Sequence, residues 1–160
     1  MLNKLKKWLS DDAAENPYPC EFTDTILKYS KELDWQISIN SNTSVSLSFE
    51  MGEGRSQLVL IFLTGEIAEQ KIVQVSSPAA KLEDISDKLD QDLMNELLRL
   101  NAQATNYGWA IETIDDDGDY LIAASDQMLS TMDLGELRSA VYAVAFAADE
   151  MEEKFGLDRF

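Results

Sequence analysis

Trp35-Gln-Ile-Ser-Ile-Asn-Ser-Asn-Thr-Ser-Val-Ser-Leu-Ser-Phe-Glu-Met51 is the stretch whose reading decides the fold. Trp35, Ile37 and Ile39 alternate with polar residues, and after Asn40-Ser-Asn42 so do Val45, Leu47, Phe49 and Met51. Successive side chains of a strand point to opposite faces, so this period of two predicts a hairpin with one buried face. Gly52-Glu-Gly54 supplies the next turn. Leu58-Val-Leu-Ile-Phe-Leu63 is then apolar at every position, as expected of a central strand covered on both faces. Ile72-Val-Gln-Val75 predicts a weaker strand that ends before Pro78.

Helical spacing brackets these strands. Phe22, Ile26, Tyr29 and Leu33 predict a first helix of roughly ten residues, capped by Thr23 or Asp24. Leu82, Ile85, Leu89, Leu93, Leu97 and Leu100 predict one second long helix, with acids in its early turns where the macrodipole favours them, stopping by Gly108. A second hairpin follows, Trp109 to Ile114 and Tyr120 to Ala124, turning at Asp117-Gly118. The last helix has the cleanest pattern: Leu134, Leu137, Val141, Val144, Ala148, Met151 and Phe155 alternate in steps of three and four. Asp133 with Glu136 fits a capping box, and Gly156 can end the helix.

Ahead of all this, Leu2, Leu5 and Leu9 share a helical face while Lys4, Lys6 and Lys7 lie mostly elsewhere. Two readings of this short amphipathic helix are open: Leu2, Lys4, Leu5, Lys6, Lys7 and Trp8 either touch a membrane surface or dock on protein, the chain's own acidic remainder included. A single short helix anchors weakly to lipid, which favours docking. Asn16-Pro-Tyr-Pro19 reads as linker, because each proline disfavours helix at the residue before it. The expected organisation is an amphipathic helix and linker over residues 1–20, then one α+β domain over 21–160.

Composition limits the function. A chain of 160 residues buries roughly 70% of its unfolded surface, enough for a real core. The apolar fraction of 45% and mean hydropathy of −0.23 are those of a globular protein. Thirteen Lys and Arg against thirty Asp and Glu leave a net charge of −17, which repels nucleic acid phosphates and anionic headgroups. The charge is uneven: residues 1–80 carry 11 acids and 7 bases, whereas residues 81–160 carry 19 and 6.

The chemistry that is missing is equally informative. There is no His, so Ser-His-Asp and Cys-His nucleophiles, HExxH metal sites and a histidine base have no residues to use. One cysteine, Cys20, makes neither an intramolecular disulfide nor a zinc site and fits a reducing, cytoplasmic setting. Asp115-Asp-Asp-Gly-Asp119 suggests a calcium loop, but aligning Gly118 with the sixth loop position puts Thr113 first and Ala124 twelfth, where a Glu is required. It reads as a solvated turn. No GxxxxGK[ST] or GxGxxG occurs.

Trp35 after the first helix, Ile72-Val-Gln-Val-Ser-Ser-Pro78, Leu97-Leu-Arg-Leu-Asn101 and Gly108-Trp-Ala-Ile-Glu-Thr-Ile-Asp-Asp-Asp-Gly-Asp-Tyr-Leu121 stand in the order helix, three or four strands, helix, two strands, helix. Over about residues 21–156 this resembles the type III secretion chaperone-like fold, and within it the YbjN-type bacterial proteins. It implies an α+β domain with a twisted antiparallel sheet, commonly a homodimer, acting by binding proteins without chemistry.

The expected function is thus a non-enzymatic, chaperone-like or adaptor domain that binds a protein client through apolar surface and strand edges, with no cofactor. The alternative is a regulatory or stress-response domain that senses a small ligand. The second helix carries Met94 and Leu98 beside its stripe of Leu93 and Leu97, more apolar surface than one contact needs. The last helix either packs on its own sheet or lends Val141 and Met151 to a dimer. Leu93, Met94, Leu97, Leu98, Val141 and Met151 are therefore the candidate interface.

Overall fold

The computed structural model describes residues 16–52, 54–114 and 117–157. The helix expected over residues 2–9 lies outside them, as do Asp115 and Asp116 of the acidic turn. In chain order come α1 (Glu21–Glu32), β1 (Ile37–Ser41), β2 (Ser44–Gly52), β3 (Arg55–Ile67), β4 (Gln70–Lys81), a 3-10 helix (Leu82–Ile85), α2 (Gln91–Gln103), β5 (Gly108–Ile114), β6 (Gly118–Met128) and α3 (Leu134–Phe155). The strands form one antiparallel sheet ordered β1-β2-β3-β4-β6-β5, so β1 and β5 are its edges.

The predicted alternation decides which side of the sheet is core. Register places Val45 opposite Ile61 and Leu47 opposite Val59, then Ile61 opposite Val75 and Leu63 opposite Val73. This row faces α3, whose Leu137, Val141 and Val144 are fully buried against it. Phe22 and Ile26 of α1 and Leu93 and Leu97 of α2 join the same cluster from either flank. At roughly 1.5–3 kcal/mol for each large apolar side chain removed from water, this one face supplies most of the stability.

Local chemistry sets the ends of the helices. Asp133 accepts from the Glu136 amide at 2.8 Å while the Glu136 carboxylate accepts from the Asp133 amide at 2.9 Å, the reciprocal box expected for α3. Gly156 ends that helix with φ of 69°. The cap of α1 differs from the prediction: Cys20 is the N-cap, and Thr23 caps from inside the first turn by accepting from the Cys20 amide at 3.1 Å.

Three further expectations are corrected. The second long helix is broken, because Asp90 turns its side chain to accept from the Leu93 amide at 2.8 Å and starts α2 afresh, leaving Leu82–Ile85 as a separate 3-10 helix. β4 does not stop before Pro78 but runs to Lys81. Its pairing with β3 ends at Ser76, and the register with β6 shifts just past Pro78, so no ladder bond to β3 is lost to the missing N–H. Finally, the described residues do not cover Leu58–Leu63 on both faces: Val59 and Ile61 are fully buried, while Leu58, Leu60 and Phe62 are half-buried on the side away from the helices.

Candidate protein-binding surfaces

The predicted interface residues separate by helix face. Leu93 and Leu97 point into the core, and Val141 and Met151 are buried beneath α3, so none of these four is available to a partner in the folded chain. The heptad-like stripe of α3 is used up by its own sheet. Met94 and Leu98 are different: they stand one helical step round from the buried stripe and are 41% and 65% exposed.

The sequence reading missed the neighbour that makes this pair a surface. Asn101 of α2 donates its Nδ2 to the Trp109 carbonyl at 3.0 Å and accepts from the Trp109 amide on Oδ1 at 2.5 Å. One side-chain amide thus satisfies both main-chain groups of an edge-strand residue, as a paired strand would, and ties α2 along β5. Ile111, two residues further along β5, is 50% exposed. Met94, Leu98 and Ile111 therefore belong to one element pair at the β5 edge, and beyond the Asn101 clamp that edge has no strand beside it among the described residues.

The opposite edge has its own apolar surface, built from aromatic rings. Trp35 meets Phe49 with ring centroids 6.1 Å apart, Phe49 meets Tyr142 at 4.8 Å, and Tyr142 stacks on Phe146 at 6.0 Å. The Arg138 guanidinium lies 5.5 Å above the Tyr142 ring. Tyr142 and Phe146 are 38% and 46% exposed on α3. A cleft of about 450 Å³ runs here between Trp35, Leu47, Phe49 and Tyr142, with Asp34 and Glu50 on its rim. Aromatic residues give large contact areas at little entropic cost, and they are enriched where proteins meet.

The polar groups that remain do structural work. Buried Gln57 donates to Glu152 and accepts from the Ser77 hydroxyl at 3.2 Å, tying β3 and β4 to the end of α3. Arg55 pairs with Asp149 at 3.2 Å just outside it. In the acidic turn, Asp117 accepts from the Tyr120 hydroxyl at 2.7 Å and Asp119 from Thr113 at 2.7 Å. The Tyr120 bond first, and the Lys81 charge second, hold the Asp117 carboxyl below its ordinary range. Among the described residues no group of three or more Cys, Asp or Glu is arranged to hold a metal. No described helix is long and apolar enough to cross a membrane. Burial pushes the Cys20 thiol up, but hydrogen bonds with Thr23 outweigh it and leave the thiol below its usual range.

With this geometry in view, the comparisons with known proteins concern the fold. The chain is similar to a chain of the HopA1–SchA chaperone–effector complex, with a TM-score of 0.57 and 10% identity over 83% of this chain and 94% of that one. It is also similar to YbjN from E. coli, with a TM-score of 0.49 and 12% identity over 84% and 87% of the two chains. A chain of the ExsC–ExsE complex gives a TM-score of 0.49 and 10% identity over 79% and 86%. No family model matches the chain, and no curated protein matches it in sequence. The architecture is the α+β, secretion chaperone-like one that the order of elements predicts.

Proposed function

We propose that this chain is a non-enzymatic protein-binding domain, a chaperone-like adaptor that acts in the cytoplasm as a homodimer. The observation that carries the reading is the exposed apolar surface beside each sheet edge: Met94, Leu98 and Ile111 at β5, and Tyr142 and Phe146, next to half-buried Trp35, at β1. The β5 edge serves the second copy, since a two-fold contact there sets α2 against α2 and continues the sheet. The β1 edge serves the client: β1, paired with β2 on one side, has no described strand on its other side, the aromatic cleft takes alternate side chains, and Asp34 and Glu50 favour a basic segment.

Two experiments test the parts separately. Leu98→Asp should halve the mass seen by light scattering and leave the melting temperature of the isolated chain unchanged; a mass unaffected by the substitution removes α2 from the dimer contact. An array of peptides with basic and apolar residues alternating should be retained by the native chain and released by Tyr142→Asp. Equal retention by both chains would count against the aromatic edge.

One observation favours the small-ligand reading. The Trp109 indole N–H is buried without an acceptor among the described residues, beside a cleft of about 230 Å³ between α2 and α3. That volume is below the range usual for ligand pockets. A metabolite that raised the melting temperature by several degrees, and lost this effect in Trp109→Phe, would reverse the preference.

A further inference from the structure

The face of the sheet turned away from the helices carries more apolar surface than an exposed sheet needs. Leu58, Leu60 and Phe62 of β3 are half-buried there; Leu60 stands opposite Ser76 and Phe62 opposite Gln74 of β4, and Pro78 of β4 stands opposite Ile122 of β6, which lies outside the continuous core. Strand twist draws two diagonal corners of the sheet towards each other on this side. Glu112 and Thr113 of β5 line one cleft of about 410 Å³ with Ser44, Leu60 and Phe62. Glu112 is half-buried, desolvation holds its carboxyl above the usual range, and it has no hydrogen bond or ion pair among the described residues. A carboxylate set among apolar side chains is costly unless a cation covers it. The face therefore suits an occupant that is apolar and basic at once.

The chain carries such a segment within reach. Leu2, Leu5, Trp8 and Leu9 interleave with Lys4, Lys6 and Lys7. The described chain begins at Asn16 and is pinned four residues on, where the Cys20 thiol donates to the Asn42 carbonyl at 3.2 Å. The next two residues after Asn42, Thr43 and Ser44, form the rim of the cleft. Residues 10–15 extended span roughly 20 Å. From β2 to β5 the face is four strand spacings across, roughly 19 Å before curvature shortens it.

We infer that residues 2–9 seat their apolar side chains over Leu60 and Phe62 on the open face of their own chain, with a lysine ammonium against the Glu112 carboxylate. The segment then covers the sheet's spare face, which leaves the two edges as the surfaces free for other chains. This assignment stands independently of any client.

A disulfide trap in the full chain tests it. In a Cys20→Ser background, Leu5→Cys with Phe62→Cys is compared with Leu5→Cys with Glu150→Cys, the latter on the exposed side of α3. The first pair should close within one chain at least about tenfold faster, as expected when tethering and docking raise the effective concentration. Adding Glu112→Lys should slow it several-fold. Equal rates for the two pairs overturn the inference. Closure only between chains also overturns it, by making a second copy the occupant. So does sedimentation of the native chain with anionic vesicles at physiological salt when Leu5→Asp abolishes it, since lipid would then hold the segment. Without any change to the sheet, Leu5→Asp with Trp8→Asp should move the amide resonances of Leu60, Phe62 and Glu112 and leave those of Val141 and Val144 in place. Unmoved resonances at β3 contradict the docking.

Discussion

The two faces of β3 are built from the same kinds of residue and have different fates. Val59 and Ile61 lie under α3 and are sealed from solvent, whereas Leu58, Leu60 and Phe62 stand on the side where no described helix packs and remain half-buried. A run that is apolar at every position tells that both faces avoid water, not that both belong to the domain's own core. The proposed docking of residues 2–9 accounts for this surplus, as the proposed dimer contact does for exposed Leu98 beside buried Leu97 on α2.

The largest effect that separates the faces is loss of a core side chain. Ile61→Ala should cost about 3–4 kcal/mol in urea unfolding, because the site is closed by β2, β4 and α3 and cannot collapse. Leu60→Ala, one residue away on the open face, should cost no more than about 1 kcal/mol when Leu5→Asp and Trp8→Asp keep residues 2–9 off that face, as expected for a side chain only partly removed from water. Similar costs at the two positions would erase the distinction between the faces. Next in size, Gln57→Ala should lose about 1–3 kcal/mol, since it leaves a bond to buried Glu152 and another to Ser77 unmade. Asn101→Ala should cost about 1–2 kcal/mol and speed hydrogen exchange at the Trp109 amide, while exchange at β1 is unaffected.

The smallest effect is local. Ala68 and Glu69 join β3 to β4 with φ of 50° and 65°, a left-handed pair that non-glycine residues adopt at a cost. Asn and Gly are the residues such two-residue turns favour, so Ala68→Asn with Glu69→Gly should stabilise the chain by about 1 kcal/mol or less. An unchanged or lowered midpoint would mean that the turn carries no such strain.

Most of the fold was legible because local rules and tertiary packing agree. Alternation over residues 35–51, the Asp133 and Glu136 box and Gly156 each led to the observed element. The parts that were not legible depend on competition between neighbours. The leucine spacing through Leu82, Ile85, Leu89 and Leu93 fits one helix, but the carboxylate of Asp90 offers the Leu93 amide a bond that restarts it. Pro78 looks like the end of a strand until the register shows that β3 no longer needs its N–H. The candidate site was half legible: Met94 and Leu98 were found by their excess over the stripe, whereas Val141 and Met151 follow a seam that one sheet fully uses. Asn101 and Trp109 are eight residues apart across a turn, and nothing in their spacing announces the clamp.

The measurement that bears most directly on the proposed function is the solution mass of the native chain beside that of Leu98→Asp, by light scattering over a hundredfold range of concentration. A dimer held through α2 gives twice the 18.0 kDa of one chain for the native protein and 18.0 kDa for the variant. A native chain that stays at 18.0 kDa throughout, or a variant that dimerises as well as the native chain, would contradict it.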